Sequence, residues 1–570
     1  MKQLITTCVM TLSLCCTAFT ACAQERFDVA EQFTKREYQI PMRDGVKLFT
    51  CVYTPIDTLK DYPILLNRTP YSVAPYGVKE YKRVLGPSDI SMKQGYIFVY
   101  QDVRGKMMSE GQYENIRPVG EHTGSGAVTD ECTDTYDTIE WLVKHLAHTN
   151  GRVGLYGISY PGFYAALGLV DAHPALKAVS PQAPIADWFI GDDFHHNGAL
   201  FLLDAFNFMS GFGKQRPAPT TNFPSGYHYR TTDPYRFFLD VGAISNINKS
   251  IFKNEIAFWN DMSAHGTYDA FWKSRNLPSH LGASAVKPAV LTVGGLFDAE
   301  DFYGTLRIYQ ALEQHAPAGM FNALVLGPWF HGGWSRSPGE ELGNITFGSR
   351  TSDFYRDSIE SVFFRYYLKD EGSIDRLAEA SVFQTGSNRW KRYSAWPPPR
   401  LEKKKLYFNR RGRLSFLPPE ANDGFDEYVS DPAHPVPYTQ EIHTNRNREY
   451  MTEDQRFAYY RPDVVSYETT ALDEDLTIAG PITVELYVST TGTDADFIVK
   501  VIDVLPDDTQ PASTKGSTVP MGGYQYPVRM DVMRGKFRNS YEKPEAFIPN
   551  EVTRVRFTLN DINHQFRAGH

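Results

Sequence analysis

A serine lies inside a short turn signal, Gly157-Ile158-Ser159-Tyr160-Pro161-Gly162. The apolar run at 153–156 predicts a buried strand before this turn, and the run at 163–170 predicts a helix after it. A serine held between a strand and a helix by glycines is typical of a nucleophile elbow, which lifts the hydroxyl off the sheet edge. Pro161 stands where the general motif has its second glycine, so the hexapeptide alone also fits an ordinary strand–helix turn.

Two later apolar runs are each followed by a residue that suits the same chemistry. The run at 289–295 leads to Asp298, and the run at 323–327 leads to His331. Residues just past the carboxyl ends of strands share one rim of an open α/β sheet. Alone, Asp298 also fits a helix N-cap and His331 a loop histidine, but the chain order Ser, Asp, His is that of α/β-hydrolase triads. We therefore predict Ser159 as nucleophile, His331 as general base and Asp298 as the acid that orients the imidazole.

The elements around these residues predict a parallel sheet with an inserted cap. Up to residue 192, apolar strand runs alternate with helical patterns, which favours an α/β domain covered on both faces. The stretch 193–284 is aromatic and irregularly helical, so we predict a helical cap whose floor shapes the substrate pocket. The α/β pattern resumes over 285–373. Short alternating strands fill 374–570 and predict an all-β sandwich.

The N-terminus has the features of a secretory signal peptide over residues 1–23. Lys2 supplies the positive charge, residues 4–19 are apolar or small, and Ala21-Cys22-Ala23 offers a cleavage site. Polar residues follow at once, so this stretch is not predicted to span a membrane. We expect export to the periplasm or the medium, with lipid attachment at Cys22 as the alternative.

Composition narrows the class of protein further. A chain of 570 residues is too long for one core and predicts three or so domains, with 24–192 and 285–373 forming one of them. The net charge of −9 and the lack of a Lys/Arg run long enough to suggest nucleic-acid binding argue against nucleic acid as a partner. No C-x-x-C or H-E-x-x-H pattern occurs, so we expect no structural or catalytic zinc. The predicted triad chemistry also requires no metal and no organic cofactor. Cys51 and Cys132 are the cysteines outside the signal segment, and one bridge between them stays open.

Five motifs along the chain belong together: Gly157–Gly162, Asp102-Val103-Arg104-Gly105, Gly295-Leu296-Phe297-Asp298, Gly327-Pro328-Trp329-x-His331 and Arg461-Pro462-Asp463-Val464. Together they resemble the cocaine-esterase and X-Pro dipeptidyl-peptidase group of serine hydrolases. Within that group the chain is most similar to the α-amino-acid ester hydrolases, the β-lactam antibiotic acylases. The resemblance implies an α/β-hydrolase domain with an inserted helical cap, followed by a C-terminal all-β jelly-roll sandwich.

The resemblance also implies residues that bind the reacting groups. Ser159, Asp298 and His331 match the family triad. The amide of Tyr160 and the hydroxyl of Tyr71 match the oxyanion donors, the former at a helix N-terminus that suits an anion on physical grounds as well.

A cluster of carboxylates in the amino-ester hydrolases holds the substrate α-ammonium. Glu300 and Asp301 match two of its members, and Asp193 matches the third, with Asp192 as the less favoured candidate. A simpler interpretation makes Glu300 and Asp301 the solvated first turn of a helix, where acids suit the dipole. If the acids meet at the rim, a protonated amine is their natural ligand, and crowding would raise their pKa values.

We therefore predict a serine hydrolase that cleaves esters or amides of α-amino acids, including β-lactam side-chain acyl groups, with water or an amine resolving the acyl-enzyme. Alternatives are an X-Pro dipeptidyl-peptidase, an esterase or glutaryl acylase without α-amino preference, and a carbohydrate-binding or adhesion protein. The expected partner is a small ester, amide or short peptide. Family members form tetramers through N-terminal arms, which leaves a homo-oligomer open. The sandwich of the family continues past residue 570, so a C-terminally truncated fragment is a further expectation.

Overall fold

The computed structural model describes residues 27–120, 128–281, 287–420, 424–514 and 516–570. The predicted signal peptide, with Cys22, lies outside the described residues. No helix within these ranges combines the length and the apolar character that crossing a bilayer requires.

A ten-stranded sheet forms the centre of the protein. In chain order its strands are β1 (Phe33–Pro41), β2 (Lys47–Pro55), β3 (Tyr62–Thr69), β4 (Ile97–Asp102), β5 (Thr149–Ile158), β6 (Leu176–Gln182), β7 (Ala289–Gly295), β8 (Asn322–Gly327), β9 (Ala380–Gln384) and β10 (Arg389–Tyr393). Across the sheet they run β1-β2-β4-β3-β5-β6-β7-β8-β9-β10. Pairing is parallel from β4 to β9 and antiparallel at both edges, so the strands that precede the predicted triad all end at one rim.

Helices cover both faces of this sheet because alternate side chains of the buried strands point to opposite sides. Ile64 and Leu66 of β3 belong to the core that includes Ile139, whereas Leu65 belongs to the core that includes Phe364. Outside the cap, the helices and helical turns are Val29–Gln32, Asp89–Lys93, Glu131–His145, Tyr160–Leu167, Phe302–His315, Gly333–Arg336, Thr351–Tyr355, Arg356–Glu360, Ser361–Lys369, Tyr450–Thr452, Arg456–Tyr459 and Gly535–Phe537.

The stretch predicted as a cap is mainly helical in its described part and connects β6 to β7. Its helix Leu202–Phe212 lies against the start of the helix that follows the elbow, with the ring centroids of Phe212 and Tyr160 at 5.3 Å. The cap therefore covers the position of the candidate nucleophile. Its other helices are Pro234–Val241, Ser245–Ile247, Asn248–Phe252, Ala257–Ala264, Ala270–Lys273 and Leu277–Leu281.

The C-terminal region is built from strands, in agreement with the predicted all-β domain. The long strands are β11 (Leu476–Val488), β12 (Asp496–Val504), β13 (Gln525–Arg534) and β14 (Thr553–Phe566), and β11 pairs with β14 and β12 with β13, both antiparallel. Short two-stranded ladders in this region join Tyr407–Asn409 to Arg413–Ser415 and Ala512–Thr514 to Ser517–Val519. Two similar ladders lie earlier in the chain and join His195–His196 to Ala199–Leu200 and Glu341–Leu342 to Ile345–Thr346.

The structure differs from the sequence-based expectations at a domain boundary, and it answers the open question of the disulfide. β9 and β10 extend the large sheet past residue 374, where the all-β domain was predicted to begin, because the buried run in β9 pairs in parallel with β8. Cys51 and Cys132 are both buried free thiols, so the bridge between them is not formed.

Candidate active site

The turn around Ser159 has the strained backbone of a nucleophile elbow. Ser159 adopts φ +68° and ψ −127°, a conformation that side-chain-bearing residues rarely take. It follows the last residue of β5 and precedes the helix Tyr160–Leu167. A methyl carbon on Gly157 would lie 2.3 Å from the carbonyl of Pro161, and one on Gly162 would lie 2.4 Å from the carbonyl of Gln182. Both glycines are thus required because backbone atoms approach them closely. The second close approach is at residue 162, one position after the place where the general motif has its glycine.

Replacing Gly157 with alanine is expected to lower both the free energy of unfolding and kcat. The added methyl group must push apart the turn that carries the serine, and overpacking of this kind costs about 1–3 kcal/mol. Chemical denaturation and ester-hydrolysis assays measure the two effects. Gly266→Ala is the matched control, because nothing lies within 4 Å of its added carbon. Wild-type stability and kcat in Gly157→Ala would contradict the need for this close packing.

Asp298 and His331 meet at the rim in the arrangement that a triad requires. His331 Nδ1 lies 2.9 Å from Asp298 Oδ2 and 3.1 Å from Asp298 Oδ1. The backbone amides of Glu300 and Asp301 also donate to Asp298 Oδ1, at 2.8 and 3.1 Å. Burial would raise the pKa of Asp298, but the charge of His331 and these donors lower it below its usual range. The carboxylate therefore stays ionised and holds the proton of His331 on Nδ1.

The other imidazole nitrogen faces an acid. His331 Nε2 lies 3.3 Å from Glu300 Oε2. Burial would lower the pKa of His331, yet the charges of Asp298 and Glu300 outweigh it and raise this pKa to about 9. In the free protein the histidine is thus stabilised as a cation, whereas a general base must be neutral.

Ser159, His331, Glu300 and Tyr71 line one cavity of about 440 Å³. The side chain of Ser159 is a hydrogen-bonding neighbour of the Tyr71 hydroxyl. Burial and the nearby Asp193 raise the pKa of Tyr71 well above its usual range, so this hydroxyl stays protonated and able to donate. The candidate nucleophile, the candidate base and a candidate oxyanion donor therefore line the same cavity.

The two candidate oxyanion donors are fixed by different means. Tyr160 is the first residue of its helix, where a backbone N–H has no intrahelical partner. Tyr71 lies in a loop that Asp102 holds in place, accepting hydrogen bonds from the Val73 amide at 2.9 Å and the Tyr76 hydroxyl at 3.0 Å. The motif containing Asp102 thus supports the loop of Tyr71.

The predicted carboxylates cluster beside His331, at different depths. Glu300 lines the cavity, and the amide of Asp193 donates to the Glu300 carbonyl at 2.9 Å. Burial and the charge of Glu300 raise the pKa of Asp193 to about 7. Asp301 is fully buried behind them, 4.0 Å from His331 Nδ1, and neither of its carboxylate oxygens has a hydrogen-bond partner among the described residues. Burial and Asp193 raise its pKa well above the usual range.

Asp192, the less favoured candidate, has a structural role instead. Its two carboxylate oxygens accept from the backbone amides of Ala186 and Asp187, each at 2.8 Å, and of Gly304 at 2.7 Å. These donors fix the loop that carries the neighbouring Asp193, which adopts a left-handed backbone conformation with φ +47°.

Two residues that sequence reasoning missed complete the cluster. The Trp188 indole donates to Asp193 Oδ2 at 2.6 Å. Arg446, from the irregular segment of the C-terminal region, donates to Glu300 Oε1 at 2.5 Å and to Asp204 Oδ2 at 3.1 Å. No local pattern distinguishes either residue. A conserved position could have pointed to Arg446, but a single sequence contains no such signal.

The family model of the X-Pro dipeptidyl-peptidase (S15 family) matches residues 44–333, and that of the X-Pro dipeptidyl-peptidase C-terminal non-catalytic domain matches residues 372–570. Cocaine esterase of Rhodococcus sp. (strain MB1 Bresler) is 25% identical over 553 residues, which cover 93% of this chain and 88% of that protein.

Two solved structures are similar over nearly the whole chain. An α-amino acid ester hydrolase has a TM-score of 0.87 at 35% identity, covering 98% of this chain and 91% of that one. An aminopeptidase from a marine sediment archaeon, Thaumarchaeota archaeon, has a TM-score of 0.86 at 36% identity, covering 95% and 87%. With two family models matched in order along the fold described above, the chain belongs to the X-Pro dipeptidyl-peptidase (S15) family, the hydrolase group that includes the cocaine esterases.

Proposed function

We propose that this protein hydrolyses esters and amides of α-amino acids, including β-lactam side-chain acyl groups, through an acyl-enzyme on Ser159. The substrate α-ammonium would bind the carboxylates of Asp193 and Glu300, with Asp301 behind them. The observation that carries the proposal is the 3.3 Å contact between Glu300 Oε2 and His331 Nε2, because it puts an acid directly beside the nitrogen that serves the nucleophile.

In this mechanism, His331 Nε2 takes the proton of Ser159 as the hydroxyl attacks the carbonyl carbon. The Tyr160 amide and the Tyr71 hydroxyl donate to the oxyanion, each contribution being about 2.7–4 kcal/mol. His331 then gives the proton to the leaving oxygen or nitrogen, and the bond to the leaving group breaks. Water repeats the sequence on the acyl-enzyme, and an amine in its place would give acyl transfer.

The charges around the site support a cationic ligand. Burial and the charge of Glu300 raise the pKa of Asp193, and burial and the charge of Asp193 raise the pKa of Asp301, so negative charge in this cluster is costly without a cation. Arg446 offsets part of that charge, but Asp301 has no donor among the described residues. An ammonium group would supply both a positive charge and up to three donors.

The same geometry favours an α-amino substrate over an X-Pro dipeptide. A cation on Glu300 lies close to the catalytic nitrogen and therefore close to the scissile carbonyl, as an α-ammonium does. In an X-Pro substrate the ammonium is one residue further away, about 3.8 Å along the chain.

The test compares phenylglycine methyl ester with the methyl ester of phenylacetic acid, which lacks the amino group. We expect a much higher kcat/KM for the amino ester, and equal values would overturn the proposal. An X-Pro nitroanilide and a glutaryl amide, measured on the same sample, distinguish the peptidase and acylase alternatives.

We also expect the pH dependence of kcat to differ between the two esters. With the des-amino ester, kcat should rise with pH up to about 9, because the base must lose its proton and the pKa of His331 is about 9. A bound ammonium neutralises Glu300 and Asp193, which lowers this pKa and moves the rise to lower pH. Profiles of kcat from about pH 5 to about pH 10 measure the shift, and coincident profiles would contradict the coupling.

A further inference from the structure

Two arginines line the cavity of Ser159 and have no part in the mechanism above. Arg336 ends the helix Gly333–Arg336, and Arg448 lies just before the turn Tyr450–Thr452. Within the described part of the chain, neither guanidinium forms an ion pair or a side-chain hydrogen bond. A guanidinium keeps its charge throughout the pH range in which proteins fold. The open side of the cavity therefore has two exposed positive charges, from distant parts of the sequence, that form no ion pair within the described residues.

Both guanidinium groups pack on the neighbours of His331. The carbon of the Arg448 guanidinium lies 4.8 Å from the ring centroid of Phe330, the residue before the histidine. Arg336 covers Gly332, the residue after it, since a methyl carbon built on Gly332 would lie 3.2 Å from Arg336 Cζ. The arginines thus flank the catalytic histidine on the cavity side.

The position of the two arginines places them beside the leaving group. His331 must give its proton to the departing oxygen or nitrogen, so the leaving group lies beside this histidine. Glu300 also touches the histidine but is occupied by the substrate ammonium in the proposed function, which leaves the two arginines as the other charged side chains that line the cavity. The acyl half, by contrast, is directed by its ammonium toward Glu300 and Asp193. The two halves of the substrate would therefore meet opposite charges.

We propose that Arg336 and Arg448 form an anion-binding subsite for the leaving group, so that preferred substrates carry a carboxylate on the alcohol or amine that departs. The inference rests on the proposed function. It specifies the substrate class as dipolar: an α-ammonium on the acyl half and a carboxylate on the other, as in a dipeptide with a free C-terminus. The planar, forked donors of arginine match the two oxygens of a carboxylate.

The chemical step is unchanged by this subsite. Ser159 Oγ forms a bond to the acyl carbon as the bond to the leaving oxygen or nitrogen breaks, and His331 gives that atom the proton it took from Ser159. The carboxylate of the leaving group takes no part in the bond changes and contributes binding and orientation only.

The experiment uses two phenylglycine esters that differ only in the leaving group, glycolate against glycolamide. Each kcat/KM is divided by the rate of alkaline hydrolysis of the same ester, which removes the difference in leaving-group reactivity. We expect the normalised value to be roughly tenfold higher for the glycolate ester, and this preference to shrink at high salt. Equal values in the wild-type protein would overturn the proposal.

Variants then assign the preference to the two side chains. Arg336→Gln and Arg448→Gln should each reduce the glycolate preference, and the double variant should remove it, while kcat/KM for phenylglycine methyl ester stays within about twofold. Arg350→Gln is the matched control, because this exposed arginine pairs with Asp353 outside the cavity and should leave the preference unchanged. A preference that persists in the double variant would also overturn the proposal.

The two proposals fail in different measurements. The ammonium preference is measured with methyl esters, whose leaving group has no charge. If that preference is absent, the glycolate and glycolamide esters of phenylacetic acid still test the arginine subsite, because their acyl half has no charge.

Discussion

Replacing Ser159 with alanine is expected to lower kcat on phenylglycine methyl ester by roughly 10⁶-fold, the size of loss seen when a triad nucleophile is removed. The carboxylates and the oxyanion donors remain, so binding of the amino ester should persist while acyl-enzyme formation stops. The fold should also persist, because removing the hydroxyl leaves the backbone hydrogen bonds of the elbow in place. Steady-state kinetics measure the loss, and mass spectrometry after a rapid quench tests for the acyl adduct.

Ser335→Ala is the control for this prediction. Ser335 lines the same cavity, but its hydroxyl donates to the carbonyl of Gly332 at 3.1 Å and so has another role. We expect this variant to keep kcat within a few-fold and to keep forming the adduct. Substantial activity in Ser159→Ala, with an adduct on another residue, would show that the nucleophile has been misassigned.

Replacing Glu300 with glutamine is expected to lower kcat/KM for the amino ester by roughly 30-fold or more, which corresponds to about 2–5 kcal/mol for removing one partner of a charge pair that the bound substrate would bury. The des-amino ester should not suffer this loss. Its reaction should even gain at neutral pH, because the charge of Glu300 is one of the causes that raise the pKa of His331. The ratio of the two kcat/KM values is the measurement, since a general loss of folding would lower both.

Asp204→Asn separates this effect from the loss of the arginine contact. Asp204 shares Arg446 with Glu300, at 3.1 Å, but has no contact with the histidine. We expect the asparagine variant to retain most of the amino preference. If Glu300→Gln kept the preference while Asp204→Asn lost it, the ammonium would have to bind nearer to Asp204 and Arg446 than to His331.

The sequence is sufficient to predict the parts of the site that depend on strand ends. Ser159, Asp298 and His331 each follow a parallel strand, and the ends of parallel strands must share a rim. The family and the fold class predicted from the motifs are confirmed by the matches over 44–333 and 372–570. The extent of the large sheet was less predictable, since a short buried run such as β9 fits either a parallel sheet or a sandwich.

The sequence does not predict contacts that depend on depth and on distant segments. Glu300 and Asp301 are adjacent in the chain, yet one lines the cavity and the other is fully buried, a difference set by the start of the helix Phe302–His315. Asp192 and Asp193 are likewise adjacent, yet backbone amides hold the carboxylate of Asp192, whereas a tryptophan indole donates to that of Asp193. The Arg446 contact to Glu300 joins residues 146 positions apart and leaves no local pattern.

The contact of Arg446 joins the two regions of the chain that the family models match. Its guanidinium pairs with the acid beside His331 and comes from the region matched by the non-catalytic family model, whereas Ser159, Asp298 and His331 all lie in the other region. Under the proposed function, the residues that set the preference for the acyl group therefore come from both regions. A chimera that exchanges only the C-terminal module between relatives should change substrate preference without altering any residue of the triad.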